Sequence, residues 1–235
     1  MRFQWATATH QGRVRANNQD SAHPSASGSA DGVMMVVVAD GMGGHVGGEI
    51  ASRIAIDAAV AAEGSVSDRI AAANHAILAE VGTRPELAGM GTTMTMLEGH
   101  PDGQGWIGHI GDSRAYLLRD GTLSQITEDH TIVTEYLRTG KITEDQAADH
   151  PQRHMLTRAL GLVHGVDVDT IPLLLRPGDR VLLCSDGVNN MLTDQEIADA
   201  LGAATAEEAA WELVERANRA GGHDNVTALV VDVEE

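Results

Sequence analysis

The stretch Val33-Met-Met-Val-Val-Val-Ala-Asp-Gly41 gives the first firm indication of the fold. Its apolar residues are consecutive from Val33 to Ala39, which predicts a strand buried on both faces rather than one that alternates between core and solvent. Asp40-Gly41 is typical of a turn and predicts that the strand ends there. Other elements of the chain must therefore cover both faces of this strand.

Helix-like segments follow the strand. Residues 48–62 and 67–81 are rich in Ala and place apolar residues at helical spacing, which predicts two amphipathic helices packed on a sheet. Asp120-Gly121 is a hairpin signal between two strand-like runs. Ser/Thr capping boxes begin at Thr193 and Thr205, and each predicts the start of a further helix.

The remaining strand-like runs do not alternate regularly with helices. They cover residues 92–97, 105–110, 113–118, 171–175, 180–184 and 226–233. This order is unlike the βαβ repeat of a parallel sheet, so we expect an α+β fold in which helices cover sheet faces. Residues 21–32 predict a surface loop, and the polar, His-rich residues 129–160 predict an inserted segment that is helical in pieces.

Composition excludes several classes of protein. The chain carries 34 acidic and 16 basic residues, a formal net charge of −18, which argues against nucleic-acid binding. A single cysteine, Cys184, allows no internal disulfide and favours a reducing compartment. The N-terminus lacks the apolar stretch of a secretory signal, and no apolar run is long enough to span a membrane. We expect a cytoplasmic monomer.

Four aspartates stand beside apolar, strand-like runs: Asp40, Asp112, Asp186 and Asp224. An aspartate at a strand end is usually part of a turn, and this remains the alternative for each one taken alone. Four of them indicate that several strand ends converge at one edge. Clustered carboxylates repel one another unless they take up protons or bind cations, and oxygen ligands favour Mg²⁺ or Mn²⁺. Gly41 leaves the backbone bare, so a metal could reach its carbonyl.

Gly41-Met-Gly-Gly-His-Val-Gly-Gly48 does not match a nucleotide-binding loop, because Val46 breaks the dinucleotide pattern and no Gly-Lys-Ser/Thr follows. It is either a simple turn or a mobile loop that brings His45 to an active site. In the second case His45 is a candidate general acid; a solvated surface histidine is the alternative.

Arg15 lies in a polar stretch and is either a solvated surface residue or a phosphate-binding group, since a guanidinium fork suits a phosphate dianion. In the second case Asp20, five residues later, is a candidate to hold a water bound to the metal.

Six motifs in order carry a family resemblance. They are Arg15-Ala-Asn-Asn-Gln-Asp20, Val38-Ala-Asp-Gly-Met-Gly-Gly-His45, Gly91-Thr-Thr-Met-Thr95, Gly108-His-Ile-Gly-Asp-Ser-Arg114, Cys184-Ser-Asp-Gly187 and Gly222-His-Asp-Asn-Val-Thr227. Together they resemble the bacterial branch of the metal-dependent Ser/Thr protein phosphatases, the PPM or type 2C family. The resemblance runs from about residue 9 to residue 232. One departure is His10, where members of the family commonly carry Asp.

The resemblance implies one domain over residues 1–235, an αββα sandwich of two packed antiparallel sheets, each flanked by a helix pair. It implies that Asp40, the Gly41 carbonyl, Asp186 and Asp224 bind two Mg²⁺ or Mn²⁺ ions, and that Asp112 binds a third. Arg15 would bind the substrate phosphate. Residues 129–160 resemble the family's flap, a mobile segment beside the site, and are called the flap below.

The implied reaction is hydrolysis of phosphoserine and phosphothreonine on proteins, in opposition to Ser/Thr kinases, by a water that two cations activate. A hydrolase of small phosphomonoesters and a catalytically silent module that binds phosphoproteins are the alternatives. All four candidate metal-binding aspartates are present, which disfavours the silent module.

Overall fold

The computed structural model describes the backbone of residues 1–235 and every side chain except those of residues 44–46 and 148. Its strands are β1 Arg2–His10, β2 Asp20–His23, β3 Gly28–Ala30, β4 Met34–Met42, β5 Gly91–Thr92, β6 Met94–Gly99, β7 Gln104–Ile110, β8 Arg114–Arg119, β9 Thr122–Gln125, β10 Asp169–Leu174, β11 Arg180–Cys184 and β12 Val226–Glu234. Its α-helices are α1 Gly44–Ala61, α2 Val66–Thr83, α3 Ile132–Arg138, α4 Glu144–Ala148, α5 Asp186–Asn189, α6 Asp194–Leu201 and α7 Ala206–Arg219.

The strands form two antiparallel sheets. The first has the order β3-β1-β12-β11-β8-β9, and the second has the order β10-β7-β6-β4-β2, with β5 paired to the end of β4. Val33, predicted to begin the buried strand, lies just before it and is 57% exposed. The apolar stretch from Met34 onward is an inner strand of the second sheet. It continues past Asp40 to Met42, because Gly41 and Met42 pair with Thr92 and Gly91.

Three apolar layers hold the molecule together. Residues such as Val36, Val38, Leu183 and Leu229 fill the space between the sheets. The helices α1 and α2 pack on the outer face of the second sheet, and α6 and α7 pack on the outer face of the first. The predicted α+β class and the sandwich with outer helix pairs are therefore confirmed.

Local signals account for many element boundaries. The predicted capping boxes are present at Thr193 and Thr205, each with its reciprocal pair of hydrogen bonds, and a third such box begins α4 at Thr143. Asp120 and Gly121 both have positive φ and turn β8 into β9, as the hairpin signal predicts.

The predicted surface loop at residues 21–32 is wrong in part. Residues 20–23 pair with β4 and residues 28–30 pair with β1, so two short edge strands occupy much of it. Partners distant in sequence stabilise these strands, although their Ser, Ala and Gly content is typical of loops. Among the described helices, none is long and apolar enough to cross a lipid bilayer.

Candidate active site

One end of the sandwich carries a cavity of about 1190 Å³. Four aspartates line it, from four separate parts of the chain: Asp40 in β4, Asp112 after β7, Asp186 at the start of α5 and Asp224 before β12. Asp20, at the start of β2, lies directly opposite Asp40 in the β2–β4 pair. The two packed sheets thus bring the five carboxyl groups to one end of the sandwich, although Asp20 and Asp224 are 204 positions apart in the sequence.

The carboxyl groups are close enough to shift one another's proton equilibria. Burial raises the pKa of Asp40 well above its usual value, and the charges of Asp20, Asp186, Asp112 and Asp224 raise it further. Burial likewise raises the pKa of Asp112 to about 8 and that of Asp186 to about 6. Such a cluster is stable near neutral pH only with bound protons or cations.

Asp20 is held by two hydroxyl groups. Its Oδ2 accepts hydrogen bonds from Ser185 Oγ and Thr227 Oγ1, both at 2.7 Å. These two bonds lower the pKa of Asp20, but burial raises it more, to about 7. Ser185 and Thr227 belong to two of the six family motifs, but their contact with Asp20 is not evident from the sequence. They fix Asp20 between the two sheets.

Asp40 is fixed through its backbone. Its N–H donates to Thr93 Oγ1 at 2.9 Å, and its carbonyl oxygen accepts from Thr92 Oγ1 at 2.8 Å and from Thr93 N at 2.9 Å. Thr93 Oγ1 also lies 2.7 Å from Ser113 Oγ, beside Asp112. The strand ends that carry Asp40 and Asp112 are therefore joined directly.

The structure gives Gly41 a packing role. A β-carbon there would lie 2.0 Å from the carbonyl oxygen of Gly48, and one at Gly187 would lie 2.0 Å from that of Asn225. These glycines are needed because other backbone segments pass directly over them. This packing is a reason for glycine that the sequence did not predict, and metal binding by the Gly41 carbonyl stays a prediction.

Arg15 borders the same cavity. Its Nη2 lies 2.6 Å from Oδ2 of Asp224, and its positive charge lowers the pKa of Asp186. The loop that carries Arg15 is anchored by the buried amide of Asn225, whose Nδ2 donates to the carbonyls of Gln11 and Asn17. Asn225 follows Asp224 directly, but its part in holding this loop is not evident from the sequence.

His10, the departure from the family pattern, lies at the start of the Arg15 loop. Its Nδ1 accepts a hydrogen bond from Gly12 N–H at 2.9 Å. The imidazole thus supplies an acceptor to the loop backbone, as a carboxylate could. The side chain of His45 lies outside the described residues, so its proposed place at the mouth of the site stays a prediction.

The donor set suits hard cations. Asp20 Oδ1 and Asp186 Oδ1 are buried oxygens without a hydrogen-bond partner among the described atoms. Among the side chains described, no three His, Cys, Asp or Glu residues are arranged to hold one ion together. Mg²⁺ does not require such a cage, because it commonly binds through one or two carboxylates, with waters and substrate phosphate as its other ligands. Carboxylate oxygens together with a nearby backbone carbonyl fit that pattern.

The flap closes one side of the cavity. Residues 151–156 line it together with the aspartates. At the base of the flap, His130 Nδ1 accepts from Gly111 N–H at 3.1 Å, and its backbone N–H donates to the Gly111 carbonyl at 2.8 Å. His130 Nε2 lies 3.2 Å from Asp169 Oδ2. The flap is thus attached to the residue before Asp112.

Comparison with known proteins identifies the family. A family model described as "Protein phosphatase 2C" matches residues 8–220. The chain is 41% identical to the serine/threonine protein phosphatase PstP of Mycobacterium tuberculosis over 240 residues, which cover 98% of this chain and 45% of that protein. It is 38% identical to the serine/threonine phosphatase stp of Listeria monocytogenes over 238 residues, which cover 95% of this chain and 93% of that protein.

Solved structures agree. The crystal structure of the M. tuberculosis phosphatase PstP/Ppp has a TM-score of 0.91 at 41% identity and is covered completely, as is this chain. The catalytic domain of PstP in complex with two manganese ions has a TM-score of 0.88 at 39% identity, with 100% of this chain and 99% of that one covered.

The chain belongs to the protein phosphatase 2C family, as its motifs predict. It spans less than half the length of the M. tuberculosis relatives that it matches.

Proposed function

We propose that this chain hydrolyses phosphoserine and phosphothreonine monoesters on proteins with the help of divalent cations. The observation that carries the proposal is the convergence of four aspartates and Arg15 on one cavity, with Asp20 close enough to act on Asp40. Relatives that align with 95% or more of this chain are named serine/threonine phosphatases, and the structure of one of them contains two manganese ions. These names support the main interpretation over its alternatives.

The proposed role of each residue follows from its position and charge. Asp40, the Gly41 carbonyl, Asp186 and Asp224 would hold two Mg²⁺ or Mn²⁺ ions, and Asp112 a third. When bound, such ions lower the pKa of a water and offset negative charge on phosphate. Asp20 would hold a water bound to the metal, and its fixed position between Ser185 and Thr227 supports this role.

Arg15 would bind the phosphoryl oxygens, since its guanidinium group faces the cavity and is half exposed. His45 is the proposed general acid that protonates the leaving Ser or Thr oxygen. No covalent phosphoenzyme is required, so Cys184 takes no part.

We also propose the partners, the location and the domain organisation that the sequence predicts. Phosphorylated Ser/Thr proteins are the proposed partners, and nucleic acids and membranes are not, in view of the net charge of −18. We propose a cytoplasmic monomer in which residues 1–235 act as one catalytic domain with its flap. The single thiol, Cys184, is free and buried, in keeping with a reducing compartment.

The test is a phosphatase assay on a phosphothreonine peptide and on a set of small phosphomonoesters. We expect turnover of the peptide with Mn²⁺ or Mg²⁺, loss of turnover with excess chelator, and recovery when the cation is restored. Absence of turnover with every divalent cation would overturn the proposal. Efficient turnover of one small phosphomonoester but not of the peptide would favour the alternative of a metabolite phosphatase.

A further inference from the structure

Part of the lining of the cavity is apolar and unusually exposed. Met155 and Leu162 expose 47% and 51% of their surface, and both line the cavity. They belong to the small set of large apolar residues that are exposed among those the structure describes. Met155 lies in the flap and Leu162 just after it, so the exposure is concentrated where the flap meets the site.

Met42 extends this part of the lining toward the aspartates. Its Cε and the Cδ2 of Leu162 both lie against Gly91, 2.9 Å and 3.5 Å from the point that a β-carbon of residue 91 would occupy. Met42 also lines the cavity and is only two residues from Asp40. Met42 and Leu162 thus meet at Gly91, and together with Met155, which lines the same cavity, they are called the apolar wall below.

The backbone at the C-terminal end of the flap is firmly held, which gives the wall a defined position. Leu160 exchanges two backbone hydrogen bonds with Thr92, at 2.9 and 3.2 Å. The buried side chain of Asn74 accepts from Gly161 N–H at 2.8 Å and donates to the carbonyl of Val163 at 2.9 Å. Leu162 lies between these two anchored residues, so its exposure does not come from a loose chain end.

From this arrangement we infer that the apolar wall binds an aliphatic side chain next to the phosphorylated residue of the substrate and so selects phosphopeptides with apolar flanks. This inference rests on the proposed function. A phosphoryl group held at the aspartates and Arg15 brings the neighbouring residues of its peptide into the same cavity. Burying one aliphatic side chain there removes apolar surface of both partners from water.

The composition of the wall and the charge of the protein support this occupant. Methionine side chains are flexible and polarizable, so Met42 and Met155 can adapt to aliphatic groups of different shape. The net charge of −18 opposes strongly acidic flanking segments, whereas an apolar flank carries no such penalty. Selectivity for apolar over polar flanks is expected to be about tenfold, the usual scale for one aliphatic group in a pocket.

The experiment compares two phosphothreonine peptides that differ only in having Leu or Ser on both sides of the phosphothreonine. In the wild-type chain with Mn²⁺, we expect kcat/KM to be about tenfold higher for the Leu-flanked peptide, mainly through KM. Met155→Ser and Leu162→Ser should each reduce this preference to about threefold or less. Leu174→Ser is the matched control, since Leu174 is 58% exposed on β10 and is not among the residues that line the cavity.

The outcomes separate the two proposals. Equal kcat/KM for both peptides in the wild-type chain, or a preference that Met155→Ser and Leu162→Ser leave intact, overturns the apolar wall but not the phosphatase. No turnover of either peptide or of p-nitrophenyl phosphate overturns the proposed function itself. A wild-type dimer in sedimentation that Leu162→Ser dissociates would assign the wall to a second copy of the chain and overturn the inference.

Discussion

Arg15 and Asp224 form an ion pair, with Arg15 Nη2 2.6 Å from Asp224 Oδ2. The pair joins a proposed phosphate-binding residue to a proposed metal ligand. Without cations the guanidinium group offsets part of the negative charge of the cluster, and it also acts on Asp186. If Asp224 binds a cation as proposed, Arg15 and that cation would compete for the same carboxylate, although the proposed mechanism uses both to bind a phosphate dianion.

Replacement of Arg15 by Ala should change two affinities in opposite directions. KM for a phosphopeptide should rise about tenfold, because a charge-assisted contact to phosphate is lost. Binding of Mn²⁺ should become tighter, because Asp224 loses its competing cation. Steady-state kinetics and calorimetric titration with Mn²⁺ measure the two effects. Arg13→Ala is the control, since Arg13 is an exposed neighbour outside the residues that line the cavity; equal effects from both variants would contradict the assignment.

Asp186→Asn tests the metal assignment with little change in shape. Asp186 Oδ1 is buried without a partner among the described atoms, and an amide there removes the negative charge that a cation would need. We expect turnover with Mn²⁺ to fall by about a hundredfold or more, and the increase in Tm caused by Mn²⁺ to shrink. Asp31→Asn, at a carboxylate that is 87% exposed, should leave both unchanged. Near-normal turnover of Asp186→Asn would exclude Asp186 as a ligand.

The features of this site that the sequence predicts are those whose interacting residues are close together in the sequence. The buried strand containing Val36 and the capping boxes at Thr193 and Thr205 are local patterns, and all are present. The Arg15–Asp224 pair joins residues 209 positions apart, so no local pattern reports it. The edge strands β2 and β3 were missed for the same reason, because their stability comes from pairing and not from their own composition.

Cys184 should be dispensable for catalysis. It is fully buried in β11, and burial raises the pKa of its thiol to about 12, so almost no thiolate forms at neutral pH. We expect Cys184→Ala to keep kcat within about twofold of wild type, and iodoacetamide to leave the native wild-type chain active. A hundredfold loss of kcat in a variant that still folds, as judged by circular dichroism, would indicate a thiol nucleophile and contradict the proposal that no covalent phosphoenzyme forms.

Asp169 should act as a positioning residue for the flap. Its Oδ1 binds Arg158 at 2.7 Å, near the end of the flap, and its Oδ2 binds His130 at 3.2 Å, near the start. Because His130 Nδ1 accepts from Gly111 N–H, the imidazole proton lies on Nε2 and points to Asp169. The Asp169 carboxylate thus contacts both ends of the flap, and through His130 it is linked to Gly111, the residue before Asp112.

Asp169→Asn weakens both contacts and should loosen the flap. We expect faster proteolytic cleavage between residues 131 and 157, and a Mn²⁺ concentration for half-maximal activity that rises about fivefold, which corresponds to about 1 kcal/mol. The matched control is Asp167→Asn, because Asp167 is 91% exposed and lies 3.8 Å from the same Arg158. A proteolysis rate equal to that of wild type would show that Asp169 does not hold the flap.

His109 should make stability depend on pH. It is fully buried beside His130, with Nε2 donating to the Glu128 carbonyl at 3.1 Å, and burial lowers its pKa from 6.5 to about 3. Between these values the unfolded chain binds a proton that the folded chain does not. Proton binding by His109 in the unfolded chain therefore leaves the free energy of unfolding unchanged above pH 6.5. As the pH falls from 6.5 toward 3, it lowers that free energy by up to about 1.4 kcal/mol per pH unit.

His109→Gln removes this titration but keeps a polar side chain that can donate to the Glu128 carbonyl. We expect the free energy of unfolding of wild type to exceed that of His109→Gln by more at pH 7 than at pH 5, by about 2 kcal/mol. Urea unfolding of both proteins at the two pH values measures this, and the aspartate cluster contributes equally to both, so its own titration cancels in the difference. An unchanged difference at pH 7 and pH 5 would mean that His109 has an ordinary pKa, and a larger difference at pH 5 would mean that the folded state binds the proton more tightly.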